Sequence, residues 1–329
     1  MNFDVIIATM NRPKSLCRLV NQILDCNTKP SNIIIVDASD KRNIDITKRY
    51  SVRYFHTKRK NQPYQRYKGF LESKKDILIF FDDDIEIINK NCFSEILSCY
   101  QNDIVAVQPK INYSNTFLSS RLPNSNLRSF AKKNAFMRFM RFLSFNAELP
   151  NGVFGYSGRR GGLPSSKNGI EWFNGPVFSV KSEFLYKNFN FNLFNLYDRK
   201  LGKAEDAILG FTVSRHGKIS YAEEIIFNHI DTCDSVYTSS LRNYCLRYSC
   251  SRLFLSLEFA RLKNRTKILA ELHFLFFMLG RIIGTIINQF VSYKKDRNEL
   301  IKELILGFLS SLKNIKLIKS YIKKPKDDY

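Results

Sequence analysis

The sequence predicts an α/β fold: a mainly parallel central sheet flanked by helices, followed by a helical, basic C-terminal region. In the first half of the chain, short apolar runs rich in β-branched residues alternate with segments of helical periodicity. These runs are apolar throughout, which indicates strands that are covered on both faces of a parallel sheet. With 44% hydrophobic and 25% charged residues among 329, the chain can build a substantial core, which excludes a disordered protein.

Polar residues follow the predicted strands at once. The strands are Phe3–Ala8, Asn32–Val36, Val52–His56 and Asp76–Phe81, and the helices near them are Lys14–Leu24 and Gln62–Lys74. Parallel sheets bind their ligands beyond the carboxyl ends of the strands. The residues at those ends are Thr9, Asn11 and Arg12 after the first strand, Asp37 after the second, and Asp82, Asp83 and Asp84 after the fourth. We therefore expect a ligand site at this edge of the sheet.

The three adjacent aspartates are the most specific feature. Neighbouring carboxylates repel one another and raise one another's pKa unless a cation lies among them. Oxygen ligands of this type suit Mg²⁺ or Mn²⁺, whose shell is often completed by phosphate oxygens. The alternative is a solvated acidic turn or a helix cap. The position directly after a buried strand, in a chain of formal charge +22, favours a metal site.

Two segments of the second half carry further candidates. Glu171–Pro176 leads into a predicted strand, Val177–Val180, and contains the only tryptophan of the chain, Trp172. Later, Glu205 and Asp206 stand at the start of a predicted helix, where acids either compensate the helix dipole or act as a general base. The glycine-rich segment before them, 151–162, predicts a mobile, solvated loop whose Arg159 and Arg160 could close over a diphosphate.

The order of five segments resembles family 2 glycosyltransferases of the nucleotide-diphospho-sugar transferase (GT-A) fold, over roughly residues 3 to 230. These segments are Ala8–Arg12, Ile35–Ser39, Gln65–Arg66, Phe81–Asp84 and Ala204–Asp206. The resemblance implies an inverting transfer from a nucleotide-sugar, with UDP as the default nucleotide. No Gln-x-x-Arg-Trp motif follows Asp206, which favours a single transfer over polymer synthesis.

By this resemblance, each candidate residue receives a role. Asp206 is the general base with Glu205 as its neighbour, and Mn²⁺ or Mg²⁺ is held by Asp82, Asp84 and a late histidine, His229. The nucleotide-binding residues are Thr9, Asn11, Arg12, Asp37, Arg66, Asp82 and Asp83, and the acceptor residues are Trp172, Asn174 and Gly175. Ala38 stands where the family often has a second acid, which leaves the identity of the nucleotide undecided.

The implied domains are a catalytic domain over 1–235, with a nucleotide-binding half (1–110) and an acceptor half (111–235), and a helical basic region over 236–329.

The basic C-terminal region predicts contact with an anionic membrane surface. From residue 241 to 329 there are 18 Lys and Arg against 7 Asp and Glu. The apolar stretch 268–291 is interrupted by Arg281 and could be buried, interfacial or spanning. Ile301–Lys324 reads as a basic amphipathic helix, which either lies on a membrane or docks on the protein's own core. A second basic stretch, Arg121–Phe145, lacks acids.

The predicted location is the cytoplasm, peripheral at the inner face of the cell membrane. The N-terminus opens directly into a strand, without the charged lead and apolar run of a secretion signal. The seven cysteines contain no Cys-x-x-Cys pair, so neither a disulfide framework nor a zinc site is indicated.

The sequence thus predicts a glycosyltransferase that moves one sugar to a glycan or lipid-linked acceptor in cell-surface polysaccharide or glycolipid synthesis. One alternative is a nucleotidyltransferase or another nucleotide-sugar enzyme on a similar sheet. That class usually has a glycine-rich phosphate loop after its first strand, and Ala8–Pro13 contains no glycine. The other alternative, a nucleic-acid-binding protein, fits the charge. It would need cations at the strand ends, where this chain has acids, so we expect no nucleic-acid partner.

Overall fold

The structure is a computed structural model that describes residues 2–101, 103–113, 135–147, 149–155, 157–165, 169–230, 240–291 and 295–322. In this part of the chain eight strands form one central sheet, in the order β3-β2-β1-β4-β7-β6-β8-β5. The strands are β1 (Phe3–Thr9), β2 (Asn32–Asp37), β3 (Arg53–His56), β4 (Ile77–Asp82), β5 (Ile85–Ile87), β6 (Ile104–Tyr113), β7 (Val177–Lys181) and β8 (Lys218–His229).

The first half of the sheet is parallel, as predicted. Strand β1 lies between β2 and β4, and β3 lies beside β2, all in parallel register. Alternate side chains enter opposite cores: Ile6 and Phe80 belong to one cluster, Ile7 and Phe81 to the other. Because both faces are covered, the central positions of these strands are apolar except Asp4, which is buried and accepts a hydrogen bond from Asn32 at 2.8 Å. The carboxyl ends of β1, β2 and β4 therefore meet at one edge.

The other half contains antiparallel pairs that complete the same edge. Strand β7 runs antiparallel to both β4 and β6, and β5 runs antiparallel to β8. The turn before β7 thus lies at the carboxyl end of β4, where the Asp82 amide donates to the Pro176 carbonyl at 2.9 Å. Pairing of Ile85 with His229 brings the end of β8 to the aspartates.

The helices cover both faces of the sheet and build the C-terminal region. They are α1 (Pro13–Asp25), α2 (Ile44–Arg49), α3 (Gln62–Glu72), α4 (Cys92–Ser98), α5 (Ala135–Leu143), α6 (Asn192–Asp198), α7 (Glu205–Ser214), α8 (Leu241–Leu262), α9 (Lys267–Val291), α10 (Lys295–Lys313) and α11 (Ile315–Ser320). The predicted helix over 301–324 is divided between α10 and α11, and its last two residues lie outside the described residues. Of the basic stretch 121–145, the first fourteen residues also lie outside them.

The C-terminal helices share a core with the sheet. Phe254 of α8, Phe274 of α9 and Phe308 of α10 belong to the same buried cluster as Ile6 of β1. Within the described residues, α9 is long and apolar enough to cross a membrane: Lys267–Phe290 has a mean hydropathy of 1.6, with 33% of that window buried. Length and composition alone do not distinguish a spanning helix from one that packs partly on the protein.

Candidate active site

The loops after β1 and β2 are bound to each other beside the strand ends. Asn11 adopts a left-handed backbone with φ of 58°, and its side chain exchanges hydrogen bonds with Asp40, each of 3.0 Å. The Asn11 amide donates to Ser39 Oγ at 2.7 Å. Gln65 of α3 reaches under both loops and donates to the carbonyls of Thr9 and Val36 at 2.8 and 2.7 Å. These bonds fix the edge at which a ligand would bind.

Asp37 is held at the end of β2. One carboxylate oxygen accepts from the Ser39 amide at 2.7 Å, and the other accepts from the Tyr54 hydroxyl at 2.6 Å. The side chain is buried at 1% exposure. Its contact with a nucleoside remains a prediction.

Two of the three aspartates share one guanidinium. Arg12 Nη1 lies 3.0 Å from Asp83 Oδ1 and 2.9 Å from Asp84 Oδ2. Thr9 Oγ1 donates to the other oxygen of Asp83 at 2.6 Å. Burial raises the pKa of Asp83, while Thr9 and Arg12 favour its ionised form. Arg12 therefore supplies the compensating charge at this turn.

The remaining oxygen of Asp84 is open to a cation. Asp84 Oδ1 is buried without a hydrogen bond, and His229 Nε2 lies 3.5 Å from it. The Asp84 carbonyl accepts from the Ile230 amide at 2.9 Å, which locks β8 against the turn. A carboxylate beside an imidazole fits Mn²⁺, which accepts both ligand types. Among the described residues, no group of three or more His, Cys, Asp or Glu side chains is already arranged around one point. The set is therefore partial, as expected if diphosphate oxygens complete it.

The first aspartate belongs to a buried ion network. Arg66 donates to Asp82 at 2.6 Å, to Glu205 at 2.7 Å and to the Gly175 carbonyl at 2.9 Å. Gln62 also donates to Asp82, at 2.8 Å. Burial raises the pKa of Asp82 to about 7, although Arg66 favours the ionised form. Arg66 is 2% exposed, so the geometry favours positioning of these carboxylates over direct contact with a nucleotide.

The two acids at the start of α7 face different surroundings. Glu205 is buried and binds both Arg66 and the Tyr197 hydroxyl. Asp206 Oδ2 accepts from the Gly175 amide at 3.0 Å and lies 3.7 Å from Arg160 Nη1. A general base must reach its substrate, and Glu205 is enclosed by its partners. The geometry therefore favours Asp206 as the base and Glu205 as a residue that orients Arg66.

The predicted acceptor residues lie in the segment beside Asp206. Asn174 accepts from the Tyr113 hydroxyl at 2.7 Å, and its amide donates to Gln108 at 2.7 Å. Trp172 is 3% exposed, and the Arg160 guanidinium lies 4.8 Å from its ring centre. A contact between Trp172 and an acceptor would therefore be made beside Arg160. A Cβ at Gly175 would lie 3.1 Å from Asp206 Oδ2, so a larger residue there would push this carboxylate aside by a few tenths of an ångström.

Several site residues were not selected as candidates from the sequence. Tyr113 ends β6 and carries no motif that distinguishes it from a structural residue. Gln65 of α3 stands in the Gln65–Arg66 segment, but it received no role of its own. Lys203 precedes the predicted acids by two positions, and its Nζ lies 3.9 Å from the Tyr244 ring centre. The only available signal was position: Tyr113 and Lys203 lie at the ends of elements that converge on Asp206.

Comparison with known proteins agrees with this architecture. Residues 4–163 match the model of the family described as glycosyl transferase family 2. No curated protein sequence matches the chain significantly. The mannosyltransferase PcManGT from Pyrobaculum calidifontis, in complex with GDP-Man and Mn²⁺, is similar at a TM-score of 0.53 and 11% identity, covering 94% of this chain and 87% of that one. A structure of TarS from S. aureus reaches 0.48 and 13% identity, covering 98% and 83%. The curled sheet with flanking helices is the GT-A fold.

Proposed function

Because the chain belongs to glycosyl transferase family 2 through residues 4–163, and is a glycosyltransferase, we propose a specific reaction for it. The enzyme transfers one sugar from a nucleotide-sugar, with UDP as the first nucleotide to test, to a hydroxyl of a glycan or lipid-linked acceptor. Transfer proceeds with inversion at the anomeric carbon and depends on a divalent cation. The observation that supports this most is the position of Asp206, whose carboxylate accepts from the Gly175 amide at the edge of the sheet and keeps 14% of its side chain exposed.

The base step follows from the contacts of Asp206. Its Oδ2 is engaged by the Gly175 amide, which leaves Oδ1 to accept the proton of an acceptor hydroxyl. The acceptor oxygen, having lost its proton to Asp206, attacks the anomeric carbon from the face opposite the nucleotide. The bond from that carbon to the diphosphate breaks, and the configuration at the carbon is inverted. Arg160 Nη1 lies 3.7 Å from Asp206 Oδ2, on the side of the carboxylate that the Gly175 amide also contacts.

The leaving diphosphate needs positive charge. Asp84 and His229, with Asp82 on the same turn, would hold a divalent cation, which supplies Lewis-acid stabilisation of the departing phosphate. Arg12, in the loop after β1, contacts this turn with its side chain and can offer its guanidinium to a phosphate once a cation satisfies Asp84. Arg66 keeps Asp82 in place from below. Arg12 and the bound cation would stabilise negative charge that develops on the diphosphate as its bond to the sugar breaks.

Release of nucleoside diphosphate tests the reaction. Wild-type protein with Mn²⁺ and a panel of nucleotide-sugars should release nucleoside diphosphate, whereas a nucleotidyltransferase would release pyrophosphate. Asp206→Asn and Asp84→Ala should each abolish transfer, but only Asp84→Ala should also weaken metal-dependent nucleotide binding. Near-normal turnover of Asp206→Asn would contradict the base assignment.

We also propose that the enzyme works at an anionic membrane surface, at the cytoplasmic face. Helix α9 exposes a continuous apolar stripe along one side, comprising Ile268, Leu272, Phe276, Leu279, Ile283, Ile287 and Phe290. Helix α5 lies against it, with the Phe145 ring 6.4 Å from that of Phe276, and it exposes Phe139, Phe142 and Leu143. Exposed cations, Arg138 and Arg281, lie on the same two helices. Apolar side chains flanked by cations suit the interface of an anionic bilayer.

One side of helix α10 packs on the protein core, and another side remains exposed. Leu304 and Phe308 are buried in the core, whereas Ile305 and Leu309 remain exposed at 37% and 54%. Lys302, Lys313 and Lys316 are also exposed. The helix therefore offers a short apolar patch with lysines beyond both ends.

Vesicle flotation tests this surface with point variants, because α8 belongs to the core and removal of residues after 240 would unfold the protein. Phe276→Asp and Phe290→Asp should reduce binding to vesicles that contain anionic lipid. Leu71→Asp is the matched control, since Leu71 is 60% exposed on α3. Equal flotation of all variants would refute the membrane surface.

A further inference from the structure

Cations gather on the acceptor side of Asp206, away from the strand ends. Lys203 lies just before α7, with its Nζ 3.9 Å from the Tyr244 ring centre. Arg160 stacks on Trp172 at 4.8 Å and places Nη1 3.7 Å from Asp206 Oδ2. The proposed base is therefore bordered by an ammonium and a guanidinium group that the transfer step itself does not require.

Lys203 and Arg160 carry two positive charges against the one negative charge of Asp206. Burial, Arg160 and Arg247 lower the pKa of Lys203 to about 8, while Asp206 acts in the opposite direction. The lysine is still mostly charged at neutral pH. Positive groups held together in a partly desolvated position repel one another, and an anionic ligand would relieve this repulsion.

The loop that carries Arg160 is held by the protein core. Arg252 of α8 is 5% exposed and donates to the carbonyls of Ser157 and Gly158 at 2.8 and 2.9 Å. Gly158 has a φ of +70°, and a Cβ there would lie 2.8 Å from Phe259. The sequence predicts a solvated loop, but in the structure α8 anchors it. Arg160 is therefore presented to the site at a defined position.

We propose that Lys203 and Arg160 bind a phosphate or diphosphate ester carried by the acceptor, beside Asp206. This proposal rests on the proposed transfer reaction and specifies its acceptor as anionic. The donor's diphosphate is assigned to the opposite side, at Arg12 and Asp84, so the acceptor-side cations need an anion of their own. Two adjacent cations match the double charge of a phosphate ester better than a single neutral hydroxyl.

The phosphate could belong to a lipid headgroup or to a water-soluble phosphorylated glycan. Tyr244, which Lys203 covers, lies within electrostatic reach of Arg281 on α9. The acceptor side therefore borders the helix whose apolar stripe is proposed to meet the bilayer. A lipid-borne phosphate would enter from that direction.

The fluorescence of Trp172, the only tryptophan of the chain, should report ligand binding at Arg160, because the Arg160 guanidinium lies on its ring. Metal-free protein is titrated with glycerol 1-phosphate, and uncharged glycerol is the control ligand. Wild-type fluorescence should change saturably with the phosphate ester alone. Lys203→Met should raise the dissociation constant about tenfold or more, since a charge-assisted hydrogen bond is lost. Lys203→Arg should stay within about threefold, because it keeps the charge.

The matched control is Lys187→Met, which removes a lysine that also covers an aromatic ring, 5.0 Å from the centre of Phe184, and it should bind phosphate as wild type does. No saturable response in wild type, an equal response to glycerol, or an unchanged constant in Lys203→Met would each overturn the proposal. The titration needs neither donor nor metal. Failure of nucleoside diphosphate release would therefore refute the transfer reaction separately.

Repeating the titration with phosphatidylcholine vesicles that carry a polyprenyl phosphate identifies the source of the anion. Binding about tenfold tighter than to glycerol 1-phosphate supports a lipid-linked acceptor. Equal binding supports a soluble phosphorylated glycan. Binding to the vesicles that Lys203→Met leaves unchanged would count against the site.

Discussion

Replacing Arg12 with glutamine should make the site bind Mn²⁺ more tightly in the absence of nucleotide. The Arg12 guanidinium lies 2.9 Å from Asp84 Oδ2 and 3.0 Å from Asp83 Oδ1, so it repels a cation at the open oxygen of Asp84. At an effective dielectric constant of about 20, a guanidinium roughly 5 Å away costs a divalent cation ~7 kcal/mol. Arg12 is partly exposed and can swing aside, so we expect less than half of this, or about tenfold in affinity.

Titration of Mn²⁺ followed by electron paramagnetic resonance measures this affinity directly. With nucleoside diphosphate present the order should reverse, because the variant lacks a cation that the diphosphate needs. Arg53→Gln is the control, since Arg53 pairs with Glu72 at 3.2 Å on the surface. Unchanged or weaker Mn²⁺ binding by Arg12→Gln, relative to Arg53→Gln, would refute competition between Arg12 and the metal.

Two further predictions concern Gly175 and Asp82. Gly175→Ala puts a Cβ 3.1 Å from Asp206 Oδ2, and the displaced base should lower kcat roughly tenfold. Gly284→Ala, where a Cβ meets nothing within 4 Å, should leave kcat unchanged and add about 0.5–1 kcal/mol of stability; equal kcat for both variants would contradict the positioning role. Because burial raises the pKa of Asp82 to about 7, the metal-free protein should gain stability from this group as the pH falls from 7 toward 4. Mn²⁺ affinity should fall about fivefold from pH 7 to 6, because the ligand must lose its proton and the ionised fraction of Asp82 falls from about one half to about one tenth. Calorimetric titration at both pH values checks this, and an affinity that does not vary with pH would contradict it.

The strands and the site edge could be predicted because their signals are local. In β1, β2 and β4 each strand contains an apolar run of at least four residues, and the polar residue that follows this run is also the residue at the edge. The helices α1 and α3 begin and end within two residues of their predicted limits. The aspartates of β4 could be selected for the same reason, since their meaning depends only on the strand that precedes them.

Long-range partners could not be predicted in this way. Arg66 and Glu205 are 139 positions apart, and nothing in either segment indicates that they form a buried ion pair. Helix α8 buries Arg252 and Glu258 together with its apolar residues, so its sequence lacks the amphipathic pattern of a surface helix. The loop that carries Arg160 is anchored by Arg252 of α8. This contact could not be predicted either, because it joins segments that are far apart in the sequence.

Thermal unfolding with nucleoside diphosphates, with and without Mn²⁺, tests most directly whether the acids at the end of β4 hold a cation against a phosphorylated donor. At one hundred times the dissociation constant, a ligand that binds only the folded protein adds about 2.7 kcal/mol of stability. We predict a rise in Tm of a few degrees for one nucleotide together with Mn²⁺, little for either alone, and none in Asp84→Ala. A nucleotide that stabilised wild type and Asp84→Ala equally, with no need for Mn²⁺, would contradict the account.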